Sequence, residues 1–505
     1  MTAPELTPVI VGVGEFTERK GPIDQAREPV DLMVEALRAA DADAGGGWLS
    51  RLQSLSLVGL ISWRYRDPVG LLSERLGIAP AHAVNASMGG ETPVRLVHEA
   101  ALAIARGELK AAAVVGGEAG YTVAQAQKLG QAPNWTPLAS PEEAVRYSSS
   151  SFAVSPVAKA LKVREPSQIY PFYEMAVEQA WGQTPARGDH ESAALWARYA
   201  AVAAGNPYAW IQTAPDADAI AKITHDNRLI AWPYPKLMVA NPNVNQGAAI
   251  IVASLAEARA AGVAEERIIH IWGGAAAREP EDYLLRDRYD HSTAQTAVLD
   301  KAVQIAGGDA RAFDRLELYS CFPVVPKMAL RTLGLGEDAP EPTMAGGLTF
   351  FGGPLNNYMA HALGAMVRTL RDHPGELGLI YGQGGYVNKH HALVVSTTPP
   401  PSPLAPDPSV QAEADAARGP VPTLDEAYEG PATIETYTVR FGRQGEPLDG
   451  LVILRTPTGS RTMARVEGSD ESSLAFLLSR EANAIGRPGV VGMDAHGLPI
   501  WRAGA

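Results

Sequence analysis

Hydrophobic positions follow two alternating rhythms along this chain. Short apolar runs that end in glycines alternate with longer stretches whose apolar residues recur every three or four positions. Residues 7–15 and 267–275 share the first pattern, as do residues 111–120 and 378–386, and then 247–254 and 391–397. Each run predicts a buried strand. Residues 31–40, 93–107 and 357–371 carry the helical spacing and lie between the strands. Strands alternating with helices imply mixed sheets covered on their faces, and the pairing of runs implies two related α/β halves.

The halves are unequal. Val115 and Ile251 mark the last two strands of the first half, whereas Ile380 and Val394 mark counterparts separated by a short turn. The difference predicts an insertion of about 120 residues, far beyond ordinary connection lengths. It spans about 121–242, with helices expected at 170–181 and 189–205 and a Trp/Tyr/Pro-rich stretch at 232–237. Its expected place is over the catalytic face, as a lid or a substrate-shaping domain. After Thr398 the pattern breaks. The run 399–408, P-P-P-S-P-L-A-P-D-P, suits only an extended linker. Beyond it, residues 432–441, 448–455 and 460–467 read as strands split by turns, followed by a short helix near 472–482. The division expected is therefore 1–255, 256–398, a linker at 399–430 and a small β-barrel at 431–505.

Composition narrows the function. With 505 residues, 46% hydrophobic and 20% charged, the chain has the profile of a globular protein of several domains. A formal charge of -13 argues against non-specific nucleic-acid binding. One cysteine, Cys321, excludes an internal disulfide and a cysteine zinc cluster. No run is long and apolar enough to span a membrane, and the first residues lack the pattern of a secretory signal, so a cytoplasmic location is expected. No metal and no permanently bound cofactor is expected.

Several glycine loops carry a resemblance. The segment A-G-G-L-T-F-F-G-G-P from Ala345, R-L-E-L-Y-S-C-F-P from Arg315, G-Q-G-G-Y from Gly382 and N-P-N-V-N-Q-G-A-A from Asn241 resemble, in order and spacing, loops of the thiolase superfamily. The added segment from Gly430 is similar to the barrel of the thiolase-like proteins of type 1, which resembles an oligonucleotide/oligosaccharide-binding domain. The resemblance implies a duplicated thiolase fold of two βαβαβαββ halves and, as ligand or substrate, a coenzyme A thioester. It also implies a cysteine nucleophile, a histidine base and a second, proton-moving cysteine. Here the nucleophile position falls at Gly90 or Met88, the histidine at Gly353 and the second cysteine at Gly382. A cysteine-based condensation is thus not expected.

What remains is polar. Tyr386, His390, Tyr358 and Asn357 are the candidate acid/base and polarising residues, and Gly352, Gly353, Asn356, Gly384 and Gly385 are candidates to hold an oxyanion through their N–H groups. Asn356 and Asn357 read equally well as helix caps, Tyr386 as packing, and each of His390 and His391 as a satisfied core histidine. Cys321 and Ser87 are the remaining nucleophile-capable groups. Cys321, with His361, His390 or His391 in reach as base, reads foremost as a small buried hydrophobe, and Ser87 as a turn or capping residue. Glu118, Asn243 and Asn245 read as loop-shaping residues. Two functions stay open. One is an enzyme cleaving carbon–carbon bonds of acyl-CoA thioesters by retro-Claisen or retro-aldol chemistry, or transferring acyl groups without a thiol, with the fused barrel in the place of a separate partner protein. The other is a non-catalytic acyl-CoA binder or partner subunit. Homodimer and monomer are both compatible with the sequence, and no nucleic-acid or membrane partner is expected.

Overall fold

The computed structural model describes residues 3–147, 153–336 and 339–504. Its body is a nine-stranded mixed sheet among these residues. The strand order is His82–Asn85, Ser54–Leu57, Ala111–Ala119, Asn245–Ser254, Pro8–Thr17, Ile269–Arg278, Lys389–Ser396, Leu377–Gly384, Arg315–Leu318. The two halves meet where Pro8–Thr17 and Ile269–Arg278 pair antiparallel at Val9–His270 and Ile10–Ile269. The sequence rhythm predicts sheets in the plural; the strands of both halves in fact run on as one sheet, because these two first strands join edge to edge.

Two buried helices carry the halves' loops toward one another. Thr92–Ala105 buries Val94, Leu96, Val97, Ala101 and Ile104, and Tyr358–Asp372 buries Met359, Leu363, Met366, Val367 and Leu370. Fully buried aliphatic side chains stabilise by roughly 1.5–3 kcal/mol each, so these faces fix both helix positions tightly. The helix starts are what matters for the site. Proline at the first turn of Thr92–Ala105 suits a position where no N–H partner is needed.

The insertion forms five α-helices among the described residues, with Pro166–Ala180 and Pro185–Gly205 the longest. Glu165 and Gln168 close a capping box on the first, and the Thr184 side chain accepts from the Arg187 N–H on the second. Pro185–Gly205 lies against the second half: Trp196 Nε1 donates to Thr349 Oγ1 (3.1 Å) and the Tyr199 hydroxyl to the Leu318 carbonyl (3.1 Å).

The barrel has five strands, Gly430–Phe441, Pro447–Arg455, Arg461–Val466, Pro488–Met493 and Pro499–Ala503, and closes because Gly430–Phe441 pairs with both Pro447–Arg455 and Pro488–Met493. Two structural details add to the sequence reading. Within 399–430, a short helix, Gln411–Ala417, packs on the body beside Thr293–Ile305. And the hairpin Leu229–Ala231 with Tyr234–Pro235 extends the barrel sheet through an Ala231–Arg440 pair, reinforced by Trp232 N–H donating to the Val439 carbonyl (2.9 Å). Met175 and Trp232 of the insertion also enter the barrel core. Barrel and insertion thus share both hydrogen bonds and apolar surface. Among the described residues no helix is long and apolar enough to cross a membrane.

Candidate functional site

Three glycine-rich segments converge between the helix starts: 86–92, 345–358 and 382–388. Asn356 ties the first two. Its Oδ1 accepts from the Gly89 N–H (3.0 Å) and its Nδ2 donates to the Gly59 carbonyl (2.8 Å), so this side chain bridges the halves. Asn357 Nδ2 donates to the Gly116 carbonyl (2.7 Å), which leaves its buried Oδ1 without a partner. Before them runs a π-helical turn, Gly347–Phe351, a geometry that recurs at functional loops. Gly352 has φ 117°, and a Cβ there would strike Gln246 and Val244, so only glycine fits. The Gly353 N–H is spent on the Asn241 carbonyl (2.8 Å).

Of the two candidates for the nucleophile position, Gly90 and Met88, Gly90 is tightly crowded. A Cβ on Gly90 would collide with the Tyr319 hydroxyl and with the backbone carbonyl of Gln383. A Cβ on Gly382 would lie 3.1 Å from Glu91 Cα and 3.2 Å from Val94. At Gly353 the nearest atoms stand at 3.4 Å, ordinary contact. Of these three glycines only Gly90 is closed to a side chain; Gly382 is tight and Gly353 has ordinary contacts.

The candidate acid/base residues are engaged in the scaffold. The Tyr386 hydroxyl donates to the Arg164 carbonyl (2.6 Å), while its own carbonyl accepts from the Tyr173 hydroxyl (2.7 Å); burial raises its phenol pKa. His390 accepts at Nδ1 from the Tyr381 hydroxyl (2.7 Å) and faces the Val387 carbonyl with Nε2 (3.2 Å), a pattern that assigns one neutral tautomer. Burial lowers its pKa to about 4. Tyr358 donates to Glu317 (2.9 Å) and accepts from the Gly347 N–H (3.0 Å). His391 turns to the opposite side of its strand and meets His98, Nε2 to Nδ1, at 2.9 Å. His361 lies 2.8 Å from Glu15, whose other oxygen is held by Arg368.

Cys321 is buried, its sulfur 4.0 Å from Gln383 Oε1, and burial pushes its thiol pKa up to about 12. Thiolate is then scarce at neutral pH. Ser87 accepts from Arg95 (2.8 Å). Gly384 and Gly385 lie in the third segment, with Gly385 at φ 65° and its carbonyl accepting from the Tyr170 hydroxyl (2.8 Å). Glu118 accepts the Ile61 and Ser62 N–H groups (both 2.8 Å), and Asn245 is hydrogen-bonded to Thr122.

Three site residues were missed by sequence reasoning. Glu317 accepts the Met344 (2.7 Å) and Ala345 (3.0 Å) N–H groups together with Thr343 and Tyr358, and so shapes the whole 343–347 loop; burial raises its pKa to about 7. Its signal was a carboxylate inside the apolar run R-L-E-L. The Tyr319 hydroxyl stands where a Cβ on Gly90 would lie. Glu91 follows the paired Gly89–Gly90 and lies so close over Gly89 and Gly384 that a Cβ on either would strike its carboxyl. It is buried, its Oε2 has no hydrogen-bond partner, and burial raises its pKa against the pull of Lys389.

The comparisons fit this geometry. The family model described as the thiolase-like protein type 1 additional C-terminal domain matches residues 409–496. Across 100% of both chains, the structure is similar to a monomeric SCP2-thiolase-like protein type 1 from Mycobacterium smegmatis, at 31% identity and a TM-score of 0.84. The chain belongs to the thiolase-like protein type 1 family. Two further solved structures share the fold of this thiolase-like protein over 78% of its length. They are an Ltp2-ChsH2(DUF35) aldolase (98% of that chain, 18% identity, TM-score 0.55) and human mitochondrial 3-ketoacyl-CoA thiolase in complex with CoA (99%, 15%, 0.56). No curated protein sequence matches it. As a thiolase-superfamily member it keeps the duplicated fold and carries the added barrel.

Proposed function

We propose that this thiolase-like protein binds a coenzyme A thioester and holds it without forming an acyl-enzyme. The observation that carries this reading is the closure at Gly90: the volume of a nucleophilic side chain is taken by the Tyr319 hydroxyl and the Gln383 carbonyl. Covalent capture needs an attacking atom and a base beside it. Neither stands there, and the one thiol, Cys321, is held neutral by burial. The CoA-bound state of the human relative is the source for the ligand class.

A second reading is supported by Glu91. A buried carboxyl with an unpartnered oxygen, whose pKa burial raises, is suited to carry a proton. In this reading it shuttles the proton in a retro-aldol or retro-Claisen cleavage, and the barrel takes the place of a separate partner. The shared sheet between barrel and insertion is compatible with such a fused arrangement. The barrel's Arg440, Arg455, Arg461 and Arg465 are all ion-paired with carboxylates, which leaves little charge for a phosphate backbone.

The test is titration of the purified chain with CoA, acetyl-CoA and β-keto and β-hydroxy acyl-CoA panels, reading thermal stability and products together. Saturable stabilisation without products supports the binder. Release of a shorter acyl-CoA with an aldehyde or ketone, abolished by Glu91→Gln, supports the second reading. No stabilisation by any CoA species rejects both.

A further inference from the structure

A cavity of about 150 Å³ lies beside the helix start at Glu91, on the side facing the second half and the linker. Its wall includes Glu91, Arg95, Arg278, Lys389, Ser409 and Gln411. We infer that this cavity binds a small oxyanion, a carboxylate or a phosphoryl group, through Arg95, Arg278 and Lys389. The inference does not rest on the acyl-CoA reading.

Charge is the first argument. Three cations meet one lining carboxylate, Glu91, and the nearby acid Glu281 also acts on Lys389. Lys389 Nζ lies 4.0 Å from Glu91 and donates to the Met88 carbonyl (3.3 Å). Arg95 shares its guanidinium between Ser87 and the exposed Glu99. Arg278 forms no side-chain ion pair among the described residues. Burial disfavours the charged form of Glu91, against the pull of Lys389.

Construction is the second. The wall opposite Glu91 is fixed by main-chain bonds: the Ala276 N–H donates to the Pro408 carbonyl (2.8 Å) and the Val410 N–H to the Ala276 carbonyl (3.0 Å). Gln411 Oε1 accepts from the Arg278 N–H (2.8 Å), and its Nε2 donates to the Arg278 carbonyl (2.9 Å). The end of the proline-rich run thus serves as a lining strip. Glu91, which lines this space, also has a buried Oε2 without a hydrogen-bond partner. A neutral Glu91 can donate to an anion that the three cations attract, which would satisfy a group the protein alone leaves unsatisfied. Because Glu91 also overlies Gly89 and Gly384, a ligand here would touch the same carboxyl that borders the vacated reagent positions.

The experiment is calorimetric titration of the full chain with malonate and with inorganic phosphate, at constant ionic strength set by sodium chloride. Saturable binding of either anion is expected, malonate the tighter if a carboxylate is the natural group and phosphate if a phosphoryl group is. Arg278→Gln, at an exposed position, should weaken binding by about tenfold or more, the value of one charge-assisted hydrogen bond. Lys389→Met should do the same wherever circular dichroism shows a folded chain, and Arg66→Gln, paired with Glu143 elsewhere, should bind as the parent does. Absence of saturable binding for both anions, or equal binding by Arg278→Gln and the parent, overturns the inference.

Discussion

Gly90 and Gly353 lie in two of the converging glycine loops, yet their surroundings differ. At Gly90 a new side chain would meet a tyrosine hydroxyl and a backbone carbonyl; at Gly353 it would meet only ordinary contacts. A side chain at the first would require Tyr319, from the second half, and the Gln383 backbone to move, whereas one at the second would not. The contrast separates a position whose packing excludes any side chain from one that still has room for it.

The sharpest way to break the contrast is to restore the thiol. Gly90→Cys should destabilise by about 3 kcal/mol, since a backbone carbonyl cannot yield as a flexible side chain does, and it should gain no acyl transfer. Chemical denaturation and a thiolysis assay read both.

Acid should expose the next largest effect. Burial lowers the pKa of His98 from 6.5 to about 4, and lowers His391 as well, with the neighbouring His98 adding to it. Between those values the unfolded chain binds more protons than the folded one. The stabilisation is therefore complete above pH 6.5 and is lost as pH falls toward 4, by about 3 kcal/mol for His98. A His98→Met/His391→Met variant should lose part of this acid sensitivity, measured as the denaturant midpoint against pH.

Asn356→Ala should cost about 2–3 kcal/mol by leaving the buried Gly89 N–H and Gly59 carbonyl unpaired across the halves. Tyr386→Phe should cost about 1 kcal/mol, the worth of one hydrogen bond to Arg164, and leave any turnover unchanged. Gly353→Ala should change stability by less than about 1 kcal/mol. A loss at Gly353 as large as that at Gly90 would erase the distinction between the two positions.

The sequence made the paired strands and buried helices legible because each is a local pattern: the runs near Val9 and Ile271 and the spacing around Val97 and Leu363 all recur as elements. The glycine loops also pointed to Gly353, Gly382 and either Gly90 or Met88. What fills the space near them was hidden, since Tyr319 and Gln383 reach Gly90 from distant segments. The His98–His391 contact is non-local in the same way. Short elements escaped for another reason. The hairpin around Trp232 is too brief and proline-rich to show strand periodicity, and it exists because Ala231 finds Arg440 on the barrel. Glu91 offered a weak signal, one carboxylate after two glycines, whose meaning depends on burial.

Intact-mass spectrometry of the protein incubated with acetyl-CoA and acetoacetyl-CoA, alongside calorimetric titration of the same samples, tests the central claim most directly. The account predicts saturable CoA-thioester binding with no covalent acyl group on the chain. A stable acyl adduct mapped to Cys321 would contradict it.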